Sequence, residues 1–137
     1  MSLSFRNCID TATDYTHGGT KYECGNGIIY DGVSDFINSI ATAKELVFEK
    51  QTVSMEKLLH ALTADFVSFE DVHKKCLDAE KYGNDLEGPD RVAAEMLSYL
   101  AIKTNTQDSK YGKLMAGILP VTAHVPLGKV VGALPSG

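Results

Sequence analysis

A few side chains in this sequence have metal, nucleophile or phosphate chemistry within reach. His73 and Cys76 stand three residues apart in a helical pattern. That spacing puts an imidazole nitrogen and a thiolate sulfur on one face, half of a tetrahedral zinc site. No second pair stands at ligand spacing, and Cys76 falls on the apolar stripe, so a buried structural thiol is the preferred reading. Cys24, between Glu23 and Gly25 in a loop, is a candidate nucleophile. It has no neighbouring His or cation to hold it as thiolate, which favours an inert thiol. Gly25-Asn26-Gly27 ahead of a helix has the look of a phosphate cradle, yet the third glycine of a dinucleotide loop and the Gly-Lys-Ser/Thr of a P-loop are absent. His124 reads as a core histidine in an apolar run, His17 as a helix-end residue, and His60 as an ordinary helix position. Asp85, Glu87 and Asp90 lack the alternating ligand pattern of a calcium loop and read as solvated. No complete active site assembles, and no catalytic residue or metal ligand is assigned in this segment.

The elements that would position these groups follow from periodicity. Leu3 to Tyr15 predicts a short helix with Phe5, Cys8, Ile9 and Ala12 on one face, stopped at His17-Gly18-Gly19. Lys21 to Gly32 reads as a glycine-punctuated loop, with Asn26-Gly27 as a turn and Ile28-Ile29 able to form a short extended piece. Val33 to Glu49 predicts a helix with Val33, Phe36, Ile37, Ile40 and Val47 inward. Thr52 or Ser54 is placed to cap the next helix, whose stripe is Met55, Leu58, Leu59, Leu62 and Phe66. A third helix runs from Phe69 to about Glu80 with Phe69, Val72, Cys76 and Leu77 inward, and Lys81-Tyr82-Gly83-Asn84-Asp85 breaks it. Pro89 suits the first turn of a fourth, which carries Val92, Ala93, Met96, Leu97 and Leu100 to about Lys103. Beyond Gly112, Ile118–Val125 and Lys129–Leu134 read as extended segments joined by Pro126-Leu127-Gly128. The expected fold class is mainly α with a C-terminal strand or hairpin (α+β). Unpartnered strands in a hairpin are marginal alone, which suggests a piece of something larger, with 1–137 as a single internal segment.

Composition bounds the function. The 137 residues are 44% hydrophobic and 23% charged, with 12 Gly and 4 Pro, which is ordinary globular usage. Thirteen Lys and Arg against eighteen Asp and Glu give a net charge of −5, and only Arg6 and Arg91 are arginines. Without a cationic stripe, a nucleic-acid or anionic-membrane surface is disfavoured. The three cysteines offer no CxxC pair or disulfide framework, which suits a reducing cytoplasm. No apolar run reaches the length of a membrane span, and the first residues lack the apolar stretch of a signal peptide.

Several stretches, in order, resemble the glycyl radical enzymes, the family of pyruvate formate-lyase and the cobalamin-independent glycerol and diol dehydratases. They begin with Cys8-Ile9-Asp10 and Gly18-Gly19-Thr20-Lys21-Tyr22, followed by the glycine-containing loop. The helix from Val33 to Glu49 is similar to the family's "ADSLAAIKKLVF", and the run from Ser54 to Phe66 resembles "TMEELLEALKANF". Lys81-Tyr82-Gly83-Asn84-Asp85 matches "KYGND". The stretch from Gly117 to Gly137 resembles "PVSxHVxxGxxxGATPDGR". The resemblance covers nearly the whole chain and implies a segment of a larger α/β barrel.

Two family elements are missing. None of Cys8, Cys24 and Cys76 has the Gly-Cys-x-Glu context of the thiyl cysteine, and the Arg-Val-x-Gly-Tyr loop of the glycyl radical is absent. In the family the first lies upstream of this stretch and the second downstream. The resemblance therefore implies an internal segment, inactive alone and binding no cofactor itself. Its parent would carry a glycyl radical installed by an S-adenosylmethionine-dependent iron–sulfur activating enzyme, and would act on a small-molecule substrate. Leu134-Pro135-Ser136-Gly137 in place of "TPDG", and Tyr22-Glu23-Cys24 in place of "YNF", look more like the arylacetate branch, such as 4-hydroxyphenylacetate decarboxylase. There a loop glutamate contacts the substrate hydroxyl; Glu23 is the candidate for that role, and a surface loop residue is the alternative. Glycerol or diol dehydratase-like and pyruvate formate-lyase-like parents remain as alternatives, as does a stand-alone helical binding module. Surfaces that would pack on an absent barrel imply self-association of the segment by itself.

Overall fold

The computed structural model describes residues 1–21, 27–109, 112–119 and 124–137. The chain divides into two compact units, Met1–Tyr30 with Tyr99–Gly117, and Asp31–Ser98 with Ile118–Gly137.

In the first unit, residues 1–21 hold little regular structure. Short 3-10 turns at Ser2–Ser4 and Tyr15–His17 bracket irregular backbone. The helix expected over Leu3–Tyr15 does not form. Asn7 and Ala12 have φ of 77° and 49°, left-handed values that break a right-handed helix twice in its span. Cys8 is buried but Ile9 is exposed, so the expected face is lost as well. The stop at Gly18 is real, and its φ of 81° is the left-handed cap that a glycine supplies cheaply. Asp14 holds this end together, its carboxylate accepting from the Ser2 hydroxyl and from the amide and hydroxyl of Thr16.

Strand β1 (Gly27–Tyr30) forms where Ile28-Ile29 predicts an extended piece, and it pairs with β4 (Met115–Ile118). A small antiparallel pair, β2 (Asp108–Ser109) with β3 (Gly112–Lys113), precedes β4. The Tyr30 hydroxyl lies 2.6 Å from Thr104 Oγ1, tying the end of β1 to a helix, α4 (Glu87–Asn105), whose last turns belong to this unit.

The second unit is helical. Helix α1 (Val33–Ala43) runs on into a π-helical turn, Lys44–Glu49, and is followed by α2 (Met55–Thr63) and α3 (Glu70–Asp78). Ser54 caps α2 as expected, its hydroxyl accepting from the Lys57 amide at 3.1 Å. One core cluster joins Leu46, Val53, Leu58, Ala61, Phe66, Val72 and Cys76. A second joins Ile37 and Ala41 to Val92 and Ala93 of α4. Burial is narrower than the predicted stripes: Phe36, Met55, Leu59 and Leu77 are exposed. The residues buried on these helices are Ile37, Ala41 and Thr42 on α1, Leu58 and Ala61 on α2, and Val72 and Cys76 on α3.

The C-terminal hairpin is the main correction. The strand falls earlier, at β4, and residues 124–128 form a short helix, α5 (His124–Gly128), with irregular backbone after it. Pro126 lies in the first turn of α5, where its missing N–H costs no hydrogen bond; in a paired strand it would leave a ladder bond unmade. Residues 120–123, within the expected first strand, lie outside the described residues.

Candidate functional site

Among the described residues, those singled out for chemistry do not converge. Glu23, the candidate substrate contact, lies outside the described residues, as do Cys24, Gly25 and Asn26. His73 and Cys76 do share α3, but they serve packing. The His73 ring stacks on Phe66, with centroids 4.4 Å apart and planes 13° from parallel. Cys76 has no accessible surface. Burial pushes its thiol above the usual range, only partly offset by the Lys81 charge, so it is held protonated rather than poised to attack. Asp85, Glu87 and Asp90 also part company: Asp90 accepts a long bond from the Gly83 amide at 3.5 Å, and Asp85 sits in a left-handed turn with φ 56°. Among the described residues no group of three His, Cys, Asp or Glu side chains could hold a metal ion.

What the second unit does build is a junction around Lys81-Tyr82-Gly83-Asn84-Asp85. The Lys81 ammonium donates to the carbonyls of Cys76 at 2.6 Å and Ala79 at 2.9 Å, and lies 3.4 Å from Thr42 Oγ1. These carbonyls belong to the end of α3, where no helical N–H remains to reach them. One side chain thus closes α3 and touches α1. The Tyr82 amide donates to Asn38 Oδ1 at 2.8 Å, a second tie to α1, and Asn84 Nδ2 donates back to the Lys81 carbonyl. Burial lowers the pKa of Lys81 below its ordinary value, while Cys76, Glu45 and Asp78 pull it the other way.

Beside this junction a 240 Å³ cavity opens between the π-helical turn and the start of α4, lined by Lys44, Glu45, Glu49, Lys50, Glu80 and Arg91 among others. Its charges are largely spent on one another. Lys44 pairs with Glu49 at 2.8 Å and Lys50 with Glu45 at 2.6 Å, and Glu45 also accepts from the Glu80 amide. Three cations face three anions, so the cavity has no surplus charge to select an anionic or cationic ligand. The arrangement can hold helices in place; it offers no nucleophile with a base beside it.

Sequence reasoning missed Lys81 and Glu45 as organising residues. A lysine just past a helix is a known C-terminal signal and could have marked Lys81. Glu45 carries no such mark, because its partners come from a different element.

These features define a helical scaffold segment rather than a self-contained active site. The pyruvate formate lyase-like family model matches residues 1–128. The chain belongs to the pyruvate formate lyase-like family, the glycyl radical enzymes. It is 40% identical over 141 aligned positions to isethionate sulfite-lyase of Bilophila wadsworthia, covering 99% of this chain and 16% of that one. It superposes on hydroxyproline dehydratase of Clostridioides difficile with a TM-score of 0.88 and 29% identity, covering 99% of this chain and 17% of that one. The glycyl radical subunit of 4-hydroxyphenylacetate decarboxylase from the same species is 25% identical over 160 positions, covering 99% of this chain and 18% of that one. The chain thus spans under a fifth of the length of each of these relatives. Among the described residues no helix is long and apolar enough to cross a membrane.

Proposed function

We propose that this chain is a scaffold segment of a radical lyase that expels a leaving group from a small hydroxylated substrate, with carbon–sulfur cleavage of an isethionate-type sulfonate as the first reading. The observation that carries it is the 40% identity to isethionate sulfite-lyase along 99% of the chain. Dehydration is the second reading, supported by the TM-score of 0.88 to the hydroxyproline dehydratase. Arylacetate decarboxylation, which the Tyr22-Glu23-Cys24 and Leu134-Pro135-Ser136-Gly137 departures favour on sequence, has less behind it: the decarboxylase subunit is 25% identical. The proposal includes the parent's α/β barrel, its glycyl radical, and an S-adenosylmethionine-dependent iron–sulfur activating enzyme as partner. Residues of this chain would support the barrel wall and exclude water, while the radical carries the bond cleavage. The test is the full-length polypeptide, activated anaerobically and offered isethionate, trans-4-hydroxy-L-proline and 4-hydroxyphenylacetate in parallel. Sulfite release at the highest kcat/KM supports the first reading; preferred loss of water supports the second, and preferred carbon dioxide release restores the decarboxylase. No glycyl doublet in electron paramagnetic resonance after activation refutes all three.

A further inference from the structure

Within the first unit, the side chains of Asp14, Thr16 and His17 form a hydrogen-bonded chain. The Thr16 hydroxyl lies 2.5 Å from Asp14 Oδ1 and 3.0 Å from His17 Nδ1. Both carboxylate oxygens accept further donors, Oδ1 from the Thr16 amide at 2.9 Å and Oδ2 from the Ser2 hydroxyl. These donors hold the Asp14 carboxyl at about 2, so at neutral pH it is ionised and has no proton to give. The hydrogen between Asp14 and Thr16 is therefore the hydroxyl's own, and the short distance is that of a hydroxyl bound to a charged oxygen. A threonine hydroxyl has one hydrogen. With it committed to Asp14, Thr16 Oγ1 can meet His17 Nδ1 only as an acceptor, and Nδ1 must carry the donated hydrogen.

The backbone keeps this chain in register. The amides of His17 and Gly19 both donate to the Asp14 carbonyl, at 2.9 Å and 3.0 Å. Gly18 turns left-handed between them. A Cβ at Gly19 would lie 2.0 Å from the Thr13 carbonyl oxygen, so only glycine fits there. Asn7 Nδ2 holds the Gly19 carbonyl from earlier in the chain at 3.3 Å. The paired glycines thus close the turn that carries all three side chains. A ring nitrogen anchored through a hydroxyl to a carboxylate is an arrangement that orients working histidines, because the hydrogen bond made at one nitrogen decides the state of the other.

We propose that Asp14 and Thr16 are positioning residues for His17, holding its neutral ring with the hydrogen on Nδ1 and the lone pair on Nε2, so that His17 works through Nε2 as an acceptor toward a hydroxyl or ammonium donor. A carbonyl or carboxylate, having no hydrogen to give, is no partner for that nitrogen in the neutral ring. Long-range proton–nitrogen correlation spectra of the nitrogen-labelled full chain test this at about pH 9, where ordinary imidazoles are neutral. The His17 signals are those lost in His17→Gln. Nδ1 should resonate as a pyrrole-type nitrogen and Nε2 as a pyridine-type one. Thr16→Val removes the acceptor, and the ratio of Nδ1–H to Nε2–H forms should fall about 5-fold, the worth of one hydrogen bond. Asp14→Ala should lower it by a similar factor, because the Thr16 hydroxyl can then turn its hydrogen toward Nδ1; Thr16→Ser should keep the parent ratio. A parent ring with its hydrogen on Nε2 overturns the proposal. So does a ratio unchanged in Thr16→Val or in Asp14→Ala, since Thr16 and Asp14 would then serve only the turn. Should a variant fail to fold, the parent ring decides alone.

Discussion

Replacing Lys81 by Met should cost the second unit about 2 kcal/mol, and the figure can be worked from its contacts. The ammonium makes two short bonds to backbone carbonyls, to Cys76 at 2.6 Å and Ala79 at 2.9 Å. A hydrogen bond to a charged group is worth about 1.5–3 kcal/mol when buried. Lys81 is only partly buried, so water can re-satisfy some of what is lost and each bond is taken at the low end or below. Burial of the ammonium, visible in its lowered pKa, is a cost that Met does not bear, and it brings the total to about 2 kcal/mol. The 3.4 Å approach to Thr42 Oγ1 is too long to add much. Thr42→Val should therefore stay within about 0.5 kcal/mol of the parent even though Thr42 has no accessible surface. Arg is no substitute, because a planar fork cannot place one nitrogen between two carbonyls as a compact ammonium does. Urea unfolding followed by far-ultraviolet circular dichroism reads the difference. With a slope of about 2 kcal/mol/M, the midpoint should fall by about 1 M for Lys81→Met and about 0.2 M for Thr42→Val. A Lys81→Met midpoint within about 0.2 M of the parent, or a Thr42→Val loss equal to that of Lys81→Met, would refute the assignment of Lys81 as the closure of α3.

Ser54→Ala should lower stability by about 1 kcal/mol in the same assay, since it leaves the Lys57 amide at the start of α2 without its acceptor, while Ser54→Asp should retain most of it. The Asp14 carboxyl, held by Ser2 and Thr16, should titrate at about 2 rather than 3.8 by carbonyl carbon chemical shift, and Ser2→Ala should move it upward. Because that pKa is depressed on folding, the Asp14 contribution is fully present above 3.8 and is lost as pH falls through about 2; a titration at the ordinary value would contradict it. Cys76 should react with a thiol reagent at pH 8 at least about 100-fold more slowly in the folded chain than in urea, because the thiol is both inaccessible and held protonated by burial. Equal rates would place it at the surface.

The helices were legible where residues repeat at helical spacing beside a cap: Ser54 before α2, Pro89 in the first turn of α4, the Lys81–Asp85 break after α3. The first fifteen residues misled because apolar spacing says nothing of backbone sign. Asn7 and Ala12 turn left-handed to suit neighbours such as Gly19, whose carbonyl accepts from Asn7 Nδ2, far along the chain. The C-terminal hairpin misled because Val- and Ile-rich runs fit either a strand or irregular packed backbone, and the partner of β4 turned out to be β1, some ninety residues earlier in the chain. Of the site, the motif at Lys81 was visible as a resemblance, but its role was not. That role depends on the carbonyls of α3 and on Asn38, which only the fold brings within reach.

The π-helical turn explains the most instructive of these misses. An α-helical stripe continued from Val33, Phe36, Ile37 and Ile40 arrives at Val47, yet Leu46 is the residue that is buried and Val47 is only half-buried. In a regular helix, five residues carry Leu46 about 140° round from Ala41, off the face that Ile37 and Ala41 turn to the second core cluster. Leu46 instead joins the first cluster, from within a turn over Lys44–Glu49 that is widened so that the Lys50 amide reaches back five residues to the Glu45 carbonyl. The same wider turn lets the amides of Thr52 and Val53 both reach the Leu46 carbonyl, ending the helix without a glycine. One continuous helix thus serves two cores, and the side chains on its wide turn, Lys44, Glu45 and Glu49, are the ones freed to form the ion pairs around the cavity. The charged side chains of that turn pair beside the cavity, Lys44 with Glu49 and Glu45 with Lys50, so the joint between the two cores is also where these ion pairs lie.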